Sequence, residues 1–268
     1  MRITLCSTDI IWEDKMANMS LLESIFAKLS FNTDLIILPE MFATGFTMNS
    51  SVAENINGET ISWMKATSKR YNCAIIGSIP FIIGNNNLSD HKCTNRAFFV
   101  MPDGSFEYYD KRHLFRMGEE NNHYVGGNKR CVVEYMGVRF CLNICYDIRF
   151  PVWSRNINND YDVLVNIANF PESRVSVIKP LVQARAIENQ SYALFVNRIG
   201  SDKECKYIPS SLAVDFKGNI IGERYHNPEI KKLMPEIEII NLEINLDSLN
   251  QFRAKFPAWM DRDSFTIN

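Results

Sequence analysis

The sequence has no uncharged apolar run of the roughly 18 residues that a membrane-spanning helix requires. Its opening residues, M-R-I-T-L-C-S-T-D-I, contain no long apolar segment followed by small residues, so no secretory signal is read there. No block of five like charges occurs, and the formal net charge is -2, which speaks against a nucleic-acid footprint or a polybasic membrane anchor. The seven cysteines show no C-x-x-C spacing, and none of the four histidines lies in H-E-x-x-H. A disulfide framework and a structural or catalytic zinc site are therefore not expected. Together these absences predict a protein of the reducing cytosol, with no metal, no nucleic acid and no membrane contact. No Pro/Gly/Ser-rich linker divides the chain and no repeat is visible, so residues 1–268 are read as a single domain.

What is present is an ordinary globular composition, 46% hydrophobic and 22% charged. Short runs rich in β-branched and aromatic residues predict strands over 3–6, 35–38, 74–79, 96–100, 130–135, 138–144, 163–166 and 193–196, then 211–214 and 237–241. Several are apolar throughout, as expected of strands covered on both faces. Helical spacing predicts helices over 19–29, 60–68 and 178–189, the last starting near Val177 because Pro180 is tolerated only in a first turn. The turns M-P-D-G-S and D-F-K-G-N predict hairpins, leading to short strands at 106–108 and 220–221. An α/β fold with helices outside a partly antiparallel sheet accommodates this order.

Three of the apolar runs end at residues capable of chemistry. In L-I-I-L-P-E-M-F, Glu40 follows a core strand directly, and a buried carboxylate there would be costly without partners but useful as a base. In Y-Y-D-K-R-H-L-F, Lys111 sits between aromatic and apolar residues, where an ammonium could face a developing oxyanion. The bland alternative for both is a solvated surface group. Cys145 ends V-R-F-C-L-N-I-C; it is either one more core thiol or a nucleophile at a strand end, with the next backbone N–H, that of Tyr146, beside it. Sites in open α/β sheets lie beyond such strand ends.

With these residues in place, the motifs L-P-E-M-F, Y-D-K-R-H-L-F and C-Y-D-I-R-F-P resemble, in order and spacing, those of the carbon–nitrogen hydrolase, or nitrilase, superfamily. The likeness runs over essentially the whole chain, through V-Q-A-R-A-I-E-N-Q-S-Y to R-A-K-F-P-A-W, and is greatest to the bacterial ω-amidase branch, which hydrolyses 2-oxoglutaramate. That resemblance implies a four-layer α-β-β-α sandwich, a homodimer, no cofactor and no metal. It implies Glu40 as base, Lys111 as oxyanion partner, Cys145 as nucleophile and Glu120, rather than the adjacent Glu119, as a second active-site glutamate.

The branch often has tryptophan where this chain has Phe170 in N-I-A-N-F-P. An aromatic wall is kept and its N–H edge is lost. Phe115 is a further candidate wall residue. For the carboxylate of an acid amide, Arg174 is the leading anchor, against the alternative of a surface pair with Glu172. Arg149 is read as structural, through its neighbour Asp147, and Arg185 with Glu188 as a supporting helical ion pair. Another small-amide or carbamoyl hydrolase, and an inactive metabolite-binding protein of the same fold, remain the alternatives to an ω-amidase.

Overall fold

A computed structural model describes residues 1–29, 32–84 and 92–266. In chain order the strands are β1 (Arg2–Ser7), β2 (Leu35–Ile37), β3 (Ala74–Ile83), β4 (Lys92–Val100), β5 (Phe106–Asp110), β6 (Val132–Tyr135), β7 (Val138–Ile144), β8 (Val163–Ala168) and β9 (Tyr192–Asn197). They continue as β10 (Gly200–Ser201), β11 (Lys206–Tyr207), β12 (Leu212–Val214), β13 (Ile220–Ile221), β14 (Glu223–Arg224) and β15 (Glu238–Glu243). The helices are α1 (Lys15–Phe26), α2 (Glu59–Tyr71), α3 (Glu120–His123), α4 (Ile178–Asn189), α5 (Pro228–Leu233) and α6 (Leu246–Lys255).

Two mixed sheets form the centre. The first runs β14-β15-β1-β2-β3-β4-β5 and the second β13-β12-β9-β8-β7-β6. Each has a parallel trio, β1-β2-β3 and β7-β8-β9, flanked by antiparallel strands. Alternation along the first sheet divides its two faces. Ile3, Leu5, Leu35, Ile37, Ile76 and Phe99 face the core shared with the second sheet, where Phe99 meets Phe140 at 5.5 Å between ring centroids. Ile36, Leu38, Ile75 and Phe98 point the other way, onto Leu22, Ile25 and Phe26 of α1 and Ile61 and Met64 of α2. On the far side, α4 buries Ile178, Val182 and Ala186 against β9 and β12. The order of layers is thus helix, sheet, sheet, helix, the sandwich that the resemblance implied. Strand period 2 and helical period 3.6 each place one apolar set toward the same core.

Local chemistry sets the element ends. The first helix begins four residues before the predicted start because the Asp14 side chain accepts from Ala17 N at its N-terminus. α2 stops where Asn72 takes a left-handed conformation at φ 50°. Gly104 and Gly218, at φ +86° and +89°, close the two expected hairpins. The C-terminal helices α5 and α6 were not among the expected elements, although Asn227 and Asn245 cap them with side-chain acceptors. Among the described residues no helix is long and apolar enough to cross a membrane.

Candidate active site

The strand directions bring one edge of both sheets together. β2 and β5 end at this edge in the first sheet, and β4, running the other way, starts there; β7 and β8 end at it in the second. Glu40 follows β2, Asn95 lies early in β4, and Lys111 follows β5 with its N–H bonded to Asn95 O at 2.9 Å. Cys145 follows β7 and Asn169 follows β8. These five residues and Glu120, from the start of α3, meet in one place.

Glu40, Lys111 and Glu120 are each 0% exposed. The Lys111 ammonium is 2.8 Å from Glu40 Oε1 and 2.9 Å from Glu120 Oε2. Asn95 Nδ2 donates to the same Glu40 oxygen at 2.7 Å, while Asn169 donates to Glu40 Oε2 from its backbone N–H at 2.9 Å and from Nδ2 at 3.3 Å. Every oxygen of the Glu40 carboxylate is therefore held, as a buried charge requires. Glu120 shares two of these donors, Lys111 and, at 3.4 Å, Asn95 Nδ2, and also accepts from the Phe115 N–H at 2.6 Å. The face of Phe46 lies 5.0 Å from the ammonium.

Burial opposes the charge on Lys111, but Glu120, Glu40 and then Cys145 outweigh it and push its pKa up. Burial pushes the Glu120 carboxyl up, as does Glu40, against the pull of Lys111. The Cys145 thiol stands well above its ordinary range, first through burial and next through the Glu40 charge; Lys111 and the Asn169 N–H draw it back only in part. The Glu40 carboxylate is thus the charged group that most opposes a thiolate here. Two buried carboxylates already face one ammonium, so a resting thiolate would add a second uncompensated negative charge. Proton transfer from thiol to Glu40 leaves the net charge unchanged, and that is the proton movement this geometry favours.

Cys145 is 8% exposed and is held at φ 48° at the head of a 3-10 turn, Cys145–Arg149. A left-handed cysteine is a strained conformation that persists only where its surroundings enforce it. It opens onto a cavity of about 700 Å³, a size suited to a small ligand. Tyr146, Phe115, Phe170, Arg174, Arg149 and Asn169 line that cavity. Phe170 is positioned by Asn197, which accepts from its N–H at 2.7 Å and donates to its carbonyl at 2.8 Å. Arg174 lies over the Phe115 ring at 4.5 Å, and the Tyr146 ring packs edge-on to Phe115.

All residues singled out in the sequence for this site thus converge on one cavity or its floor. Glu119, adjacent to Glu120, adopts φ 58° and remains exposed on the cavity wall, so the two neighbours face opposite surroundings. Glu172 lies 3.6 Å from Lys206, leaving Arg174 without an acidic partner among the described residues. One reading is corrected. Asp147 accepts from Tyr109, His113 and Ile144, not from Arg149, and the exposed Arg149 instead turns toward Phe170, 5.8 Å from its ring, on the cavity wall. The tight turn buries residue 147 and exposes residue 149, so adjacency in the chain does not bring the two into contact. Arg185 and Glu188 do pair, at 2.9 Å. Sequence reasoning does not single out Asn95 or Asn169; for Asn169 the available signal is an amide directly after the apolar strand β8, which must be hydrogen-bonded if buried.

A family model described as carbon-nitrogen hydrolase matches residues 2–254. Omega-amidase YafV of Escherichia coli (strain K12) is 37% identical over 268 residues, covering 100% of this chain and 98% of its own. The 2-oxoglutaramate amidase of Bacillus subtilis (strain 168) is 28% identical, covering 94% of each chain. Among solved structures, a CN-hydrolase superfamily protein from Xanthomonas campestris, with an arsenic adduct in its active site, superposes with a TM-score of 0.89 at 34% identity, covering 100% of this chain and 99% of that one.

Proposed function

The chain belongs to the carbon–nitrogen hydrolase family, and from that premise we propose that it is an ω-amidase that hydrolyses 2-oxoglutaramate to 2-oxoglutarate and ammonia through a cysteine thioester. The observation that carries the reading is the buried set of Glu40 with Lys111, Asn95 and Asn169 beneath a cavity that Cys145 lines, together with Arg174, a guanidinium on that cavity with no acidic partner among the described residues.

Glu40 takes the Cys145 proton as sulfur attacks the amide carbonyl. Lys111 and the Tyr146 backbone N–H receive the oxyanion. Glu40 then passes its proton to the amide nitrogen, the C–N bond breaks, and ammonia leaves behind an acyl thioester. Water attacks this carbonyl and gives a proton to Glu40; the C–S bond breaks, and the proton returns to sulfur. Glu120 orients Lys111, which it meets at 2.9 Å, and so acts beside the base rather than as the base. Arg174 anchors the remote carboxylate, with Phe115 and Phe170 as the apolar walls between the two ends of the substrate. The reading assigns carbonyl polarisation to these groups and calls for no metal or cofactor. It includes a homodimer, which light scattering on the purified protein checks, and a place in the cytosol, which cell fractionation checks.

The decisive experiment is a direct ammonia assay over 2-oxoglutaramate, glutamine, 2-oxosuccinamate, succinamate, neutral aliphatic amides, nitriles and carbamoyl compounds, with the 2-oxoglutaramate concentration corrected for cyclisation. Preference for 2-oxoglutaramate over glutamine is expected; preference for nitriles or carbamoyl substrates would move the enzyme elsewhere in its family. Rapid quenching with a slowly hydrolysed amide should place the acyl group on the Cys145 peptide, and an adduct confined to Cys141 or another thiol would defeat the mechanism.

A further inference from the structure

Asp147, two residues beyond Cys145, is 0% exposed, and no step above uses it. Its Oδ2 accepts from the Tyr109 hydroxyl at 2.8 Å and from the Ile144 N–H at 3.0 Å. Its Oδ1 accepts from the His113 N–H at 2.9 Å, and His113 Nδ1 lies 2.7 Å from the same oxygen. The Tyr109 hydroxyl in turn accepts from the Arg112 N–H at 3.1 Å and from Trp153 Nε1 at 2.8 Å. The His113 ring is stacked on Phe150 at 3.7 Å, which holds the imidazole in place.

The distribution of these partners along the chain is informative. Residues 109, 112 and 113 bracket Lys111 on the first sheet. Ile144 immediately precedes the nucleophile on the second sheet, and Trp153 follows its turn. One buried carboxylate therefore ties both catalytic segments, with Tyr146 lying between Cys145 and Asp147 in the same turn. A carboxylate that receives two backbone N–H groups and a hydroxyl in a dry setting is a stiff joint, because each bond is strengthened by the charge.

We propose that Asp147 is a positioning residue for the oxyanion site: it holds the Lys111 segment and the Cys145–Tyr146 turn in the mutual arrangement that receives the carbonyl oxygen. This rests on the reading of Cys145 as nucleophile. A residue that merely supported the fold would affect every reaction of Cys145 alike. A residue that registers the two oxyanion donors affects only reactions that place charge on that oxygen.

Two probes separate these roles. With succinic semialdehyde, sulfur adds to the aldehyde carbon, the carbonyl electron pair moves to oxygen in the oxyanion site, and the thiol proton is taken up and kept by Glu40, so the adduct oxygen carries the charge. With iodoacetamide, sulfur displaces iodide, the thiol proton goes to Glu40 and then to solvent, and no oxyanion forms. In Asp147→Asn the new amide directs N–H groups at existing donors, so kcat and succinic semialdehyde affinity should fall together by about a hundredfold, the range for losing an oxyanion donor. KM and the iodoacetamide rate at Cys145 should stay close to their parental values. Tyr109→Phe removes one bond of the joint and should lower the same two quantities by about tenfold; it carries the test if Asp147→Asn does not fold. Parallel losses with both probes, or unchanged aldehyde affinity, would overturn the proposal. Failure of the parent to form the adduct at Cys145 would instead defeat the nucleophile assignment, so the two failures are distinguishable.

Discussion

The floor and the mouth of the cavity treat charge in opposite ways. At the floor, Glu40, Lys111 and Glu120 are shut from solvent, and each is held by at least two partners. At the mouth, Arg149 and Arg174 lie over the faces of Phe170 and Phe115, and neither guanidinium has an acidic partner among the described residues. At the floor the two carboxylates and the ammonium are aligned on one another before substrate arrives. The mouth retains binding capacity that a ligand can satisfy. Preorganised buried charge suits bond making and breaking; weakly hydrated, unpaired guanidinium on an aromatic wall suits recognition of a carboxylate. Rate and selectivity should therefore separate by region when residues are changed.

Glu40→Gln tests the floor most severely. It keeps the shape but removes the base, so turnover should fall by about a thousandfold or more, with the folded spectrum retained. The pH dependence of iodoacetamide labelling sharpens the point. With no base, labelling of Cys145 should be slow at neutral pH and rise only beyond the ordinary thiol value of about 8.5, because burial, foremost, raises this thiol. Fast, pH-independent labelling of Glu40→Gln near neutrality would place the base elsewhere.

Lys111→Met should come next, with turnover down by about a hundredfold through loss of the oxyanion partner. It also leaves Glu40 and Glu120 facing each other without their cation, so denaturant unfolding should report a loss of about 3–5 kcal/mol. Near-normal turnover in a folded Lys111→Met protein would remove the lysine from the chemistry.

The mouth should respond more mildly and selectively. Arg174→Ala should lower kcat/KM for 2-oxoglutaramate by about ten- to a hundredfold, the range of one charge-assisted hydrogen bond, and leave a neutral amide nearly unaffected. Equal losses on both substrates would reject Arg174 as anchor while leaving the floor intact. The smallest effect is expected for Arg149→Ala. This residue is exposed, and a solvated ion pair contributes at most about 1 kcal/mol, or roughly fivefold, again confined to acid amides. A larger loss at Arg149 than at Arg174 would exchange their roles.

Much of this arrangement was legible in the amino-acid order. Strand runs at 74–79 and 138–144 fall within β3 and β7, and the helix over 178–189 has the bounds of α4. Those features are local: apolar alternation, helical spacing, a proline confined to a first turn. Glu40 and Lys111 were visible for a related reason, since each interrupts or ends an apolar run where a charged side chain gains nothing from burial alone, and Cys145 for its place at a strand end. The family motifs then bound them to one another. The α6 helix escaped notice despite its Asn245 cap, because its hydrophobic face is sparse, with Leu249 and Arg253 its only buried residues.

What the tertiary structure decided is which groups share a contact. Lys111 reaches Glu40 across 71 residues, and the Asn169 amide reaches the same carboxylate across 129. No periodicity or spacing encodes a bond at that separation; it arises because parallel strands of two sheets end at one edge. The same holds in reverse for Arg149 and Asp147, which are near neighbours in the chain and share no contact partner. Burial and propensity follow from each residue's own chemistry and its close neighbours, so the sequence determined the elements and the reactive side chains. Hydrogen bonds need distance and direction between distant segments, and the packing of the two sheets alone supplies both.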